Sequence, residues 1–238
     1  MKGAYTKVLA AIRAALEREA PVSADHDRAW RYLVSSSATH RAELVSQFAD
    51  ELERVNGNFI GLIAAAEISR KIRALVSDLR PRRVAVGQAI ALNLAPLLKA
   101  LVDSGIEVVT TGKTSNIGRS ALRERIAGCD LAVVEAQYAI AATGTLVVVA
   151  SPGQPGSFTL LPPANILLVD AARVLPDISK VVKALGPAPI TQHRVAFITG
   201  PSRTADIEKR IVLGVHGPKG LYAGVVWRGD HPYSLLSC

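Results

Sequence analysis

The sequence predicts an α/β fold: a three-layer α/β/α arrangement around a mainly parallel sheet, with a helical extension at the amino end. Three observations carry this. Short β-branched apolar runs alternate along the chain with helical stripes, which is the pattern of βαβ units whose strands are covered on both faces. Aromatic residues are 5% of a chain that is 49% hydrophobic, so its core is aliphatic. The 238 residues suffice for one large domain, or one domain with an added subdomain.

The elements follow in order. Val8, Ile12, Ala15 and Leu16 form a helical stripe that Pro21 ends, and the stretch to about Asp27 is polar. A second amphipathic helix carries Leu44, Phe48, Leu52 and Val55 on one face and stops at Asn56-Gly57-Asn58. These two helices make an extension over residues 1–56 that covers the main domain or a partner. Residues 57–238 form the α/β domain. Strands are expected at Phe59–Ala64, Val84–Val86, Ile106–Val109, Leu131–Val134, Leu146–Val149, Ile166–Val169, Val195–Ile198 and Leu221–Trp227. Helical stripes lie between several of them: Ile68, Ile72, Leu75 and Leu79 in one, Leu94, Leu97, Leu98 and Leu101 in another. Only Tyr138–Thr145 separates the strands at Leu131 and Leu146. That is too short for a helical crossover, so this pair is expected to be antiparallel or locally irregular.

Composition excludes several functions. The net charge is +8, but the basic residues are spread along the chain without a dense stripe or stacking aromatics, so nucleic-acid binding is not expected. No run of about 18 uncharged apolar residues exists, so no membrane insertion is expected. The first residues read as a charged helix rather than a signal peptide, and a cytoplasmic location is expected. Cys129 and Cys238 are the two cysteines, too few for an iron–sulfur cluster or a four-cysteine zinc site within one chain. His26, His40, His193, His216 and His231 show no paired ligand spacing, and no metal site is expected. Gly112-Lys113-Thr114 ends like a phosphate-binding P-loop, but Glu107 stands where that pattern needs glycine. No GxGxxG fingerprint follows a strand, so this chain is expected to hold no cofactor of its own.

The most informative stretch is Gly200-Pro201-Ser202-Arg203-Thr204-Ala205-Asp206-Ile207-Glu208. It follows an apolar run and is expected to open a helix through Ile207, Ile211 and Val212, capped by Ser202 or Thr204. Asp206 and Glu208 suit the positive end of such a helix, and Arg203 does not. Either Arg203 pairs with Asp206 along the helix, or it joins the amides of Ser202 to Thr204 in holding an anion. A second turn, Gly214-Val215-His216-Gly217-Pro218, precedes the last strand. His216 is either a turn residue bonded to backbone or a ligand-binding or proton-transferring group. Thr143-Gly144-Thr145 is either a β-turn or a source of hydroxyl and amide donors for a ligand. Glu135 closes an apolar run, either as an edge residue or as a buried acid with a purpose.

GPSRTADIE (Gly200–Glu208) followed by GVHGP (Gly214–Pro218) resembles the C-terminal signature of the lactate-utilisation (LUD) domain, specifically the lactate-utilisation protein C family. Ile140–Thr145 (IAATGT) and Leu160-Leu161-Pro162-Pro163 extend the match, from about Thr39 to Trp227. The sequence departs from the family pattern at Ala142, where an acidic residue is common. It also lacks an Arg in Gly153–Thr159. The resemblance implies a fold like that of glucosamine-phosphate isomerases, ribose-phosphate isomerases and CoA transferases. It implies a role beside two iron–sulfur proteins in oxidising L-lactate to pyruvate, with this chain as the cluster-free subunit binding a small anionic ligand or supporting assembly. On that reading the ligand-binding candidates are Thr143, Gly144, Thr145, Gly200, Ser202, Arg203, Thr204, Asp206, Glu208, His216 and Gly217. His216 and Glu135 are the catalytic candidates. The alternative is an independent small-molecule enzyme on the same scaffold, of CoA transferase, sugar-phosphate isomerase or folate cyclo-ligase type.

Overall fold

The computed structural model describes residues 38–89, 92–112, 118–186, 194–205, 211–213 and 217–228. The first predicted helix lies outside them. Helix α1 (Ala38–Arg54) is the second predicted helix, and it ends as its sequence requires. Asn56 takes a left-handed φ of 64°, the amide of Gly57 reaches back to the Leu52 carbonyl, and that of Asn56 to Glu53. These two bonds satisfy carbonyls that the helix end would otherwise leave bare.

A six-stranded, wholly parallel sheet follows, in spatial order β1-β12-β7-β4-β2-β3. Its strands are β1 (Asn58–Ala64), β2 (Arg83–Val86), β3 (Glu107–Val109), β4 (Leu131–Ala136), β7 (Ala164–Asp170) and β12 (Gly220–Trp227). Side chains alternate between two cores. One face sends Val84, Val86, Leu131, Val133, Ile166 and Leu168 against Ile68, Ile72 and Val76 of α2 (Ile68–Leu79) and Leu97 and Leu101 of α3 (Ala95–Asp103). The other face sends Ala85, Ala132, Val134, Leu167, Val169, Ala223 and Val225 against α1, α4 (Arg119–Ala127) and α5 (Ser157–Leu160). Phe48 and Leu52 of α1 are fully buried there, so α1 contributes to the central core.

That second face is also covered by a four-stranded sheet in the order β8-β5-β6-β9. Its strands are β5 (Tyr138–Ile140), β6 (Thr145–Val149), β8 (Val174–Leu175) and β9 (Val195–Ile198). Its outer side packs Tyr138, Ile140 and Val147 against Val181 and Leu185 of α6 (Ile178–Leu185). The expected pairing of the strands at Leu131 and Leu146 is therefore corrected. They belong to different sheets, and β6 pairs antiparallel with β5, inside the segment read as their connection. The β-branched and aromatic residues there fit a pleated, buried surface.

The helix expected after Gly200 is also corrected. Arg203–Ala205 is β10 and Ile211–Leu213 is β11, paired antiparallel with Arg203 opposite Leu213 and Ala205 opposite Ile211. Ile207, Ile211 and Val212 fit a helical stripe by spacing. However, β-branched residues lose rotamer freedom in a helix and suit a strand better.

Candidate functional site

The two signature turns meet at the amino end of the parallel sheet. β9 leads into Thr199-Gly200-Pro201-Ser202, and Gly217-Pro218 leads into β12. The Ser202 amide donates to the Pro218 carbonyl at 2.8 Å, which joins the turns directly. A Cβ at Gly217 would sit 3.1 Å from Ser202 Cβ, so glycine allows this close approach. The amides of Lys219 and Gly220 donate to the Pro163 carbonyl, tying the second turn to the start of β7.

Between these turns, α5 and the starts of β7 and β12 lies a cleft of about 280 Å³. Its polar lining comes from Thr159, Asn165, Thr199 and Ser202; its apolar walls include Leu160, Phe197, Ile198 and Leu221. No charged side chain is among the described residues lining it. Asn165 is buried, and its Nδ2 donates to the Thr159 carbonyl at 2.9 Å. Its Oδ1 has no hydrogen-bond partner. The Thr145 hydroxyl is 2.7 Å from those of both Thr143 and Thr199, so a chain of three hydroxyls ends at the cleft wall.

The structure thus brings Gly200, Ser202 and Gly217 to one cleft, and links Thr143 and Thr145 to it through Thr199. Arg203 is not in the lining. Its Nη2 donates to the Val55 carbonyl at 2.9 Å, at the carboxyl end of α1. The expected conflict with a helix dipole is corrected: this cation sits at a negative helix end, where it is favourable. Gly144 does not face the cleft either. It has a φ of 58°, and a Cβ there would lie 2.2 Å from the Leu52 amide nitrogen, so the TGT turn seats α1. Thr204 falls in β10. Asp206, Glu208 and His216 lie outside the described residues.

Glu135 stands apart, at the carboxyl end of β4, and is a buried acid rather than an edge residue. Leu92 donates its amide to the Glu135 carboxylate at 3.5 Å. Gln154 clasps the Glu135 backbone, accepting from its amide at 3.1 Å and donating to its carbonyl at 2.9 Å. Gln137 accepts from the Val149 amide. This cluster is separate from the cleft. Among the described residues, no group of three or more His, Cys, Asp or Glu could hold a metal ion, and no helix is long and apolar enough to cross a membrane.

Thr159, Asn165 and Thr199 are the polar cleft residues that sequence reasoning missed. For Asn165 and Thr199 the signals were present but faint: an amide at the mouth of an apolar strand, and a hydroxyl directly before a signature glycine.

A family model described as the LUD domain matches residues 45–226. A "Lactate utilization protein C" of Bacillus pumilus is 26% identical over 92% of this chain and 95% of that protein. A protein of the same name from Halalkalibacterium halodurans is 35% identical over 41% of this chain, but the match spans only 44% of that relative's length. An uncharacterized protein of Neisseria meningitidis is 30% identical over 59% of this chain and 63% of its own length. Among solved structures, a DUF162 family protein from Deinococcus radiodurans superimposes with a TM-score of 0.58 at 21% identity. The superposition covers 78% of this chain and 98% of that one and shows a shared fold.

Proposed function

The chain belongs to the LUD domain family, and we propose that it serves lactate utilisation as the cluster-free component of a multi-subunit system that oxidises L-lactate to pyruvate. Relatives named for lactate utilisation support this, one of them across nearly its whole length. The observation that carries the site is the meeting of both signature turns at one cleft, where Ser202, Thr199 and Asn165 offer polar contacts to a small carboxylate. The hydroxyl chain from Thr143 through Thr145 fixes the orientation of Thr199, so that hydroxyl is held in place for a ligand rather than rotating freely.

Oxidising lactate removes two electrons. On this reading the chain carries no redox group of its own, and the two electrons pass to iron–sulfur subunits beside it; its two cysteines and the lack of a dinucleotide fingerprint support that reading. The purified chain is expected to show no turnover with L-lactate and an artificial electron acceptor, and turnover should appear when the iron–sulfur subunits are added. Turnover by the chain alone would overturn the reading.

The burial of Glu135 favours a second reading, an independent enzyme of CoA transferase, sugar-phosphate isomerase or folate cyclo-ligase type. Thermal shifts with CoA esters, sugar phosphates and folates decide between the two. A ligand at about 100 times its Kd stabilises the fold by about 2.7 kcal/mol.

A further inference from the structure

We infer that the open edge of β9 takes one more strand, an extended, acidic-ended segment of a partner protein that lies along the cleft. This goes beyond the lactate reading and does not depend on it. Among the described strands, β9 ends the four-stranded sheet and pairs with β6 alone. The Ala150 amide donates to the Arg194 carbonyl at 2.8 Å, which sets the phase of that ladder. Bonded pairs recur at every second residue, so Ala196 and Ile198 turn their N–H and C=O groups toward β6, and Val195 and Phe197 turn theirs away. The Phe197 residue is 43% exposed. Ala196 and Ile198 lie on one face of β9 and Phe197 on the other, yet all three line the cleft. The cleft therefore runs along the open edge rather than over one face of the strand.

The other edges of the two larger sheets are guarded. β1 carries a register shift between Phe59 and Gly61, β3 carries Glu107, and β8 has two residues. β9 is uncharged, lacks proline and keeps an unbroken register over its four residues. An exposed edge of that kind is a template for another strand, and an apolar cleft beside it receives the incoming side chains. Leu160, 48% exposed, adds an apolar contact on the cleft wall. Charge selects the occupant. Among the described residues within two positions of the lining, the charged ones are Arg194, Arg203 and Lys219, all cationic and exposed. An acidic-ended strand complements them. A second copy of β9 would bring the same cations to the same edge and be repelled.

The test is fluorescence anisotropy of the purified full-length chain with labelled synthetic peptides of about seven residues, alternating Val and Thr. One peptide carries Asp at both ends, one carries Lys at both ends, and one is the Asp-ended peptide N-methylated along its backbone. The Asp-ended peptide should bind at least about tenfold more tightly than either of the others. On binding, the Val195 and Phe197 amides should gain protection from hydrogen exchange, while those of Ala196 and Ile198 hardly change. Phe197→Lys places a charge on the edge and should abolish binding, with folding checked by circular dichroism. If that variant does not fold, Arg194→Glu decides, and should weaken the preference for the Asp-ended over the Lys-ended peptide. Equal binding of the three peptides, or no binding, overturns the proposal. Val195 and Phe197 amides already protected in the free chain overturn it too, by showing the edge covered by this chain or by a second copy. None of these results bears on turnover with the iron–sulfur subunits, so the two readings fail separately.

Discussion

Near the amino end of the six-stranded sheet Gly200 and Gly144 press on backbone; at the carboxyl end Gly87 and Gly153 press on side chains. A Cβ at Gly200 would meet the Val55 carbonyl oxygen at 2.3 Å, and one at Gly144 the Leu52 amide nitrogen at 2.2 Å. A Cβ at Gly87 would meet the Gln154 amide at 2.7 Å, and one at Gly153 the Gln88 side chain at 2.5 Å. The polar groups differ in the same way. Around Glu135 the Gln154 amide bonds to backbone through both its oxygen and its nitrogen, whereas the buried Asn165 amide bonds through its nitrogen alone. The carboxyl end of a parallel sheet is the usual place for a ligand, where successive crossovers leave to opposite faces. Here that arrangement occurs between β2 and β4, yet Gln154 and Gln137 there bond to the protein's own backbone. The described residues of the family signature instead assemble at the opposite end, where the Ser202 amide joins the two turns and Arg203 ties the first of them to the end of α1.

The sharpest way to break this contrast is to exchange glycines. Gly144→Ala forces a backbone collision with α1 as well as an unfavourable φ, and should cost about 3 kcal/mol or more. Gly153→Ala meets only the exposed Gln88 side chain, which can swing aside, and should cost about 1 kcal/mol or less. Urea denaturation of both variants measures the difference; equal costs would erase the distinction between the two ends.

Gln154→Ala should come next, at about 2–3 kcal/mol, because it strips partners from the buried amide and carbonyl of Glu135. Its denaturation midpoint should fall while lactate affinity stays near wild type, since the glutamine lies outside the cleft. A matching loss of binding would join the two ends into one site.

Arg203→Ala removes one exposed contact at the end of α1 and should cost about 0.5–1 kcal/mol, diminishing with added salt. A loss of ligand binding far beyond that cost would return Arg203 to the cleft.

The smallest effect is in pH. Burial pushes the Cys129 thiol, just before β4, from its ordinary 9.0 up to about 11, against the pull of nearby Arg83. The unfolded chain therefore releases this proton before the folded one does. Stability from this source is complete below about pH 9 and declines as pH rises from 9 to 11. Burial also raises Tyr138, so an alkaline slope remains from that residue. Denaturation midpoints across that range should fall less steeply in Cys129→Ala than in the wild type; an unchanged slope would place the titration elsewhere.

All eight predicted strands formed close to their expected bounds, because each is a compact apolar run, and the central ones, β4 and β7, are buried on both faces. Helix α1 and its stop at Asn56-Gly57 were equally legible, since the stripe and the left-handed cap are both local. Strands β5 and β8 were not. They are three and two residues long, and their stability comes from pairing with distant partners rather than from a pattern of their own. The β10–β11 hairpin was misread for a related reason: three apolar residues at helical spacing also satisfy a strand when the partner segment is near.

By itself the sequence determined a parallel α/β core, the helix that leads into it, and the two turns that mark the LUD family, because periodicity and turn chemistry act over a few residues. Only the tertiary structure decided that the two turns share a cleft, that Arg203 caps α1, and that the Asn165 amide is buried with its oxygen unpartnered. Those outcomes depend on contacts between residues far apart in the chain. Arg203 bonds to Val55 across 148 positions, and no local pattern records which donor a buried amide will lack.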